Sequence, residues 1–239
     1  MCSNYLPVAR RDRMRAAFGV DLDRDQDERE VFPLGTAPFI RLAAEGEEGG
    51  RPALVAEDGR FGLLPAWAAE QRFGTRTYNA RSETVARLPS FRDAWARGQR
   101  CIVPVEAVFE PNWESGDCVR WRIARDDGRP LGVAGLYTQW KSPEGERRFT
   151  FTMLTVNADA HAFYRRFHRP GEEKRMPAFL DPHEYGPWLA CKPLQAPRYL
   201  RMWPGPLVGE PAPLARPARP ARPAPPPPAP AAPMQADLF

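Results

Sequence analysis

Residues 101–109 read CIVPVEAVF and residues 149–156 read FTFTMLTV. Both are short apolar runs, rich in β-branched and aromatic side chains and bounded by glycine, proline and charged residues. That is the pattern of buried strands rather than of helices. Outward from them, Val119–Ile123 (VRWRI, alternating) and Leu131–Tyr137 extend the same pattern. Helices are predicted at three places. The first is Ser90–Arg97, with Ser90 as cap and Phe91, Ala94 and Trp95 sharing a face. The second is Ala158–Phe167, and the third follows Asp181-Pro182, a cap with proline in the first turn. The expected class is α+β, dominated by strands; without regular βαβ alternation, a Rossmann-like fold is disfavoured.

The chain has 239 residues, 43% hydrophobic and 27% charged, which suits one sizeable domain with or without an appendage. Lys plus Arg number 34 against 30 for Asp plus Glu, a net +4 that permits an anionic partner without identifying it. Thirteen of the 29 prolines fall between Pro204 and Pro233. A segment short of amide donors and large apolar side chains cannot build a core, so 204–233 is expected to be a disordered, partly polyproline linker after a folded unit at 1–203. No apolar run approaches a membrane span and the N-terminus lacks a signal-peptide core. The expectation is a cytoplasmic protein with no membrane partner. The four cysteines, Cys2, Cys101, Cys118 and Cys191, are widely spaced, which points to reduced thiols and away from zinc.

Cys2 follows the initiator methionine directly. Loss of Met1 would leave an N-terminal cysteine, a 1,2-aminothiol. Four further segments occur in order: NARSET at 79–84, RCIVPVEAVFE at 100–110, LTVNADAH at 154–161, and a histidine reaching Arg-Met-Pro in FHRPGEEKRMP. With these the chain, from Met1 to about Trp203, resembles the SRAP (SOS response associated peptidase) family, whose members form covalent links to abasic sites in DNA.

The resemblance implies a strand-rich domain with a curved, barrel-like β core and peripheral helices. It implies a catalytic set of Cys2, Asn79, Glu110 and His168, a DNA-facing set of Asn4, Pro38, Trp67 and Arg81, and no cofactor. Three departures from the family pattern bear on DNA binding. Asn4 stands where the family usually has arginine, Pro111 follows the acid directly in FEPNW, and the RPGEEK loop at 169–174 is longer than the common form.

The residue types suit an aldehyde. An amine forms an imine with the C1′ carbon of an opened abasic sugar, and the neighbouring thiol closes on that carbon to give a five-membered thiazolidine. An α-amino group titrates at about 7.7–8.0, so it is partly neutral near pH 7 where a lysine at about 10.4 is not. Imidazole is a general acid suited to protonating the ring oxygen, and His168 supplies one. Glu110 suits acceptance of a proton from the amine, and Asn79 offers hydrogen bonds without charge. Singly, each residue has an ordinary structural reading as surface acid, helix-end cap or turn former. Their joint order points to nucleophilic catalysis ending in a covalent product, on single-stranded DNA carrying abasic sites and with possible lyase or Met1-removing activity. The alternatives are an N-terminal-nucleophile peptidase or amidohydrolase, and a non-covalent DNA-binding adaptor.

The tail ends Gln235-Ala236-Asp237-Leu238-Phe239. QADLF resembles the short motif with which bacterial repair proteins bind the sliding clamp. Leu238 and Phe239 would fill an apolar pocket, with Gln235 and Asp237 as polar anchors. Residues 234–239 are therefore read as a clamp-binding segment on an otherwise monomeric protein.

Overall fold

A computed structural model describes residues 3–43 and 53–214. The four strands expected from sequence are present and longer than their apolar cores: β5 at Arg100–Asn112, β6 at Val119–Arg125, β7 at Leu131–Lys141 and β8 at Arg147–Asn157. Seven more join them: β1 (Tyr5–Pro7), β2 (Thr36–Leu42), β3 (Leu54–Phe61), β4 (Asn79–Arg81), β9 (Arg175–Pro177), β10 (Phe179–Leu180) and β11 (Leu207–Pro211).

Five strands close on themselves. β5 pairs antiparallel with β7, β7 with β8, β8 parallel with β3, β3 antiparallel with β2, and β2 returns to β5 through Ile40 opposite Ile102. Closure removes the exposed edges that an open sheet would carry. It also encloses a continuous core containing Phe39, Phe61, Val103, Leu136 and Phe151. Phe61 stacks on Phe151 at 5.6 Å between centroids, and Tyr5 meets Phe61 edge-on at 5.2 Å.

β5 outlasts the barrel. Its first half, Arg100–Val105, pairs with β7; beyond that, Val108–Asn112 pairs with β6, and β1 lies along Val105–Val108. This extension carries Glu110 out of the barrel wall and beside the start of the chain.

The helices are small: α1 at Arg11–Phe18, α2 at Arg92–Ala96 and α3 at Tyr185–Ala190. α1 buries Met14 and Phe18 and stops at Gly19, whose φ of 68° closes the last turn with an N–H bond to the Arg15 carbonyl. The Asp181-Pro182 start is as expected. Asp181 and Glu184 form a reciprocal capping box over a 3-10 turn that leads into α3.

Three expectations are corrected. α2 begins at Arg92, with Phe91 rather than Ser90 in the cap position and no side-chain cap bond. The helix expected at Ala158–Phe167 is only a 3-10 turn at Tyr164–Arg166. Here side chains take the backbone donors a helix would need: Asn157 accepts from the Asp159 N–H, and His161 Nδ1 accepts from Phe163 and Tyr164. Finally, the fold does not end at Trp203. β11 lies antiparallel to β6, Leu207 opposite Arg125 through Pro211 opposite Trp121, inside the stretch read as linker. An edge strand tolerates prolines at its ends because it needs donors on one side only. Residues 215–239, including the clamp-like motif, lie outside the described residues.

Candidate active site

The acid end of β5 meets the segment after β8. Asn112 bridges to Phe167, and the Pro111 carbonyl accepts the His168 N–H at 2.8 Å. Pro111 has no N–H to give, but this contact asks only for a carbonyl. The family departure at that position therefore leaves the junction intact.

The junction sets His168 Nε2 3.1 Å from Glu110 Oε2, with the side chains 7% and 0% exposed. His168 has a backbone φ of 64°, unusual for a residue with a Cβ. It is held there by the Pro111 bond and by Lys174, whose Nζ donates to the His168 and Arg169 carbonyls at 3.2 and 2.8 Å. The Arg175 N–H points to His168 Nδ1 at 3.5 Å.

The start of the chain is fastened to the same strand. The Phe109 N–H donates to the Asn4 carbonyl at 3.3 Å, and Tyr5 pairs with Val108. Asn4 is buried, and its amide donates to Glu30 Oε2 at 2.6 Å. Glu30 also pairs with Arg120, whose guanidinium lies 3.6 Å from the Phe109 ring centroid and donates to the Ala212 carbonyl. Asn4 thus anchors the start of β1 from within the protein. Its expected place on a DNA surface does not fit its burial. Pro38 is likewise buried, on β2 opposite Asp58. Cys2 lies outside the described residues.

Asn79 opens β4, which runs parallel to β8 with Asn79 opposite Met153 and Arg81 opposite Thr155. β9 flanks the same end of β8 from the other side, Pro177 opposite Thr155. Arg175 joins the two flanks. It is buried, donates to the Thr155 carbonyl at 2.7 Å, and pairs with Glu83 and Glu173 at 2.8 Å each. Arg81 pairs with Glu173 as well. Hydrogen bonds from Arg175, then Asn157, hold the Glu173 carboxyl down to about 2. Sequence reading singled out Arg81 and overlooked Arg175, the residue that connects His168, β8 and β4; its signal was its place immediately before Met-Pro.

Trp67 is 54% exposed, braced edge-on by Phe73 at 5.0 Å beside Arg72 and Arg76 in an open recess of about 390 Å³. Cys101 and Cys191 are free and buried, and burial pushes both thiols up, against nucleophilic use. Cys118 is free and exposed. Among the described residues, Asp181, His183 and Glu184 have metal-ligand spacing. The two carboxylates are engaged by the capping box, by the Trp203 indole at 2.9 Å and by Arg201.

A buried acid–imidazole pair on the extension of a barrel strand defines a class of site, and comparison with known proteins gives it a family. The family model for SOS response associated peptidase (SRAP) matches residues 1–207, and the chain belongs to that family. It is 31% identical to the abasic site processing protein YoaM of Bacillus subtilis over 202 residues, 80% of each chain. It is 32% identical to YoqW of the same organism, named likewise, over 141 residues, so the match spans 56% of either chain. The abasic site processing protein HMCES of Rattus norvegicus is 26% identical over 165 residues, covering 54% of this chain and 43% of that one. A crystal structure of a Bordetella bronchiseptica protein superimposes with a TM-score of 0.80 at 35% identity, covering 89% of this chain and all of that one. Among the described residues, no helix is long and apolar enough to cross a membrane.

Proposed function

We propose that this protein processes abasic sites in single-stranded DNA by capturing them covalently through Cys2 once Met1 is lost. The observation that carries the reading is the buried Glu110–His168 pair, whose acid lies on the strand to which Asn4 is bonded. In sequence Cys2 stands two residues before Asn4, whose carbonyl accepts from Phe109, the neighbour of Glu110. The names of the family relatives agree with the substrate.

In this reading His168 donates a proton to the sugar ring oxygen as C1′ becomes an aldehyde. The α-amine of Cys2 attacks that carbon and gives up its protons by way of Glu110, and the hydroxyl leaves as water. The thiol sulfur then adds to the imine carbon while its proton passes to the nitrogen, closing the thiazolidine. One water is released, and no redox change occurs. Asn79 orients the sugar, while Trp67 stacks against a base beside the lesion. Arg81, already held by Glu173, contributes to the DNA side as a paired cation. Gln235, Asp237, Leu238 and Phe239 are proposed to dock on the sliding clamp, which a pull-down of clamp by full chain and by a chain ending at Met234 tests directly.

The decisive experiment mixes mature protein with a single-stranded oligonucleotide bearing one abasic site and resolves the products on a denaturing gel. A heat-stable band that Cys2→Ala and Cys2→Ser both lose supports the thiazolidine. A wild-type lane without it, with intact mass showing Met1 gone, overturns covalent capture.

A further inference from the structure

The two departures nearest the acid–imidazole pair meet in space. Asn112 and the extended 169–174 loop bring Trp113 under Arg169, whose guanidinium carbon lies 5.0 Å from the indole centroid. An open groove of about 360 Å³ runs between Trp113, Glu114, Arg165, Arg166, Pro170, Lys174 and one side of His168, with Arg169 at its margin over the Trp113 ring.

The cations around it differ in how they are spent. Arg166 is neutralised by Glu114 at 2.8 Å, and Arg175 by Glu83 and Glu173. Lys174 is turned onto two backbone carbonyls, which pins Arg169 next to His168. Arg165 and Arg169 are exposed and have no carboxylate partner among the described residues. Glu172 is the one acid of the loop without an arginine partner among them, and it too is exposed.

We propose that this groove seats the phosphodiester backbone of the strand on one side of the reacting sugar, with Arg165 and Arg169 as its phosphate contacts. The inference rests on the reading that single-stranded DNA passes His168. A guanidinium resting over an aromatic ring has N–H groups left to donate, and its planar fork matches phosphate oxygens. The groove opens onto His168 itself, so a nucleotide seated there is a direct neighbour of the lesion. It offers phosphates what the chain does not offer from position 4, where Asn4 is turned inward.

The test compares wild type with the Arg165→Gln/Arg169→Gln double variant. Binding of an intact fluorescein-labelled single strand is measured by anisotropy from 50 to 300 mM salt. Two phosphate contacts on a single strand account for about 1.4 in the slope of log K against log salt. The double variant is expected to lose about that much slope and to bind roughly tenfold or more weakly at low salt, while Arg165→Lys/Arg169→Lys keeps most of the slope. Abasic oligonucleotides with only a 5′ or only a 3′ flank then locate the groove: the variant's deficit in half-saturating DNA should persist on one and vanish on the other. Equal salt slopes for the double variant and wild type, with both folded by circular dichroism, overturn the proposal. Because the intact strand needs no Cys2 chemistry, that result is distinguishable from failure of covalent capture.

Discussion

One strand, β5, carries a buried cation at its start and a buried anion near its end, and the protein treats them differently. Arg100 is 2% exposed, and its guanidinium lies 5.4 Å from the rings of both Trp95 and Trp188. Its nitrogens find no hydrogen-bond acceptor among the described residues, and burial pushes its pKa below the ordinary value. Glu110 is 1% exposed and meets an imidazole that its own strand neighbour, Pro111, holds in place. The cation is accommodated by aromatic faces that cannot exchange protons with it. The anion is given a partner that can.

Substitutions at the two ends should separate these roles. The largest effect is expected from Glu110→Gln, which keeps the shape and removes the base. Its crosslinking rate should fall by roughly 10²-fold or more, in line with the usual contribution of a positioned acid or base. An undiminished rate would mean that the pair is structural. His168→Gln should lower the rate by a smaller factor, on the order of tenfold, read in single-turnover time courses. Arg100→Met should leave the crosslinking rate within about twofold. Replacing an unpaired buried charge by an apolar chain is often neutral or stabilising, so its urea midpoint should hold or rise. A clear fall would show that the two indoles contribute more than the burial costs.

Two smaller tests concern the surroundings. Trp67→Ala should weaken single-strand binding by about 1–3 kcal/mol with little change in melting temperature, since the ring is half exposed and stacking rather than core packing is lost. The Arg175 network sets an acid limit. Glu173 has its folded pKa depressed to about 2, chiefly by the Arg175 hydrogen bond. Its contribution is therefore complete above the ordinary carboxylate range and is lost as pH falls toward 2. Melting temperature should decline across that window, and Glu173→Gln should shallow the decline. The pair is largely solvent-screened, so this effect is expected to be the smallest.

Of the six strands of seven or more residues, β5, β6, β7 and β8 were legible in the sequence because each offers at least five residues of apolar or alternating pattern, enough for a period of two to register, whereas β2 and β3 were missed. The helix after Asp181 was legible for a local reason too: a capping box lies within four consecutive residues. The shorter strands β1, β4, β9 and β10 were not, since two or three residues hold no period, and only their neighbours on β5, β7 and β8 make them strands. Likewise β11 hid in proline-rich composition, because an edge position forgives missing donors. The expected helix at 158–167 failed where Asn157 and His161 captured backbone donors locally.

By itself, then, the sequence determined a strand-rich α+β class and, through ordered motifs, a family with named candidate residues. Tertiary structure alone decided that β5 both closes a barrel and leaves it, and that residues 110 and 168 meet at 3.1 Å. It alone turned Asn4 inward and Trp67 outward. The reason is physical: periodicity and capping act over a few residues, whereas burial and proton sharing depend on contacts between strands that the chain joins only through long loops.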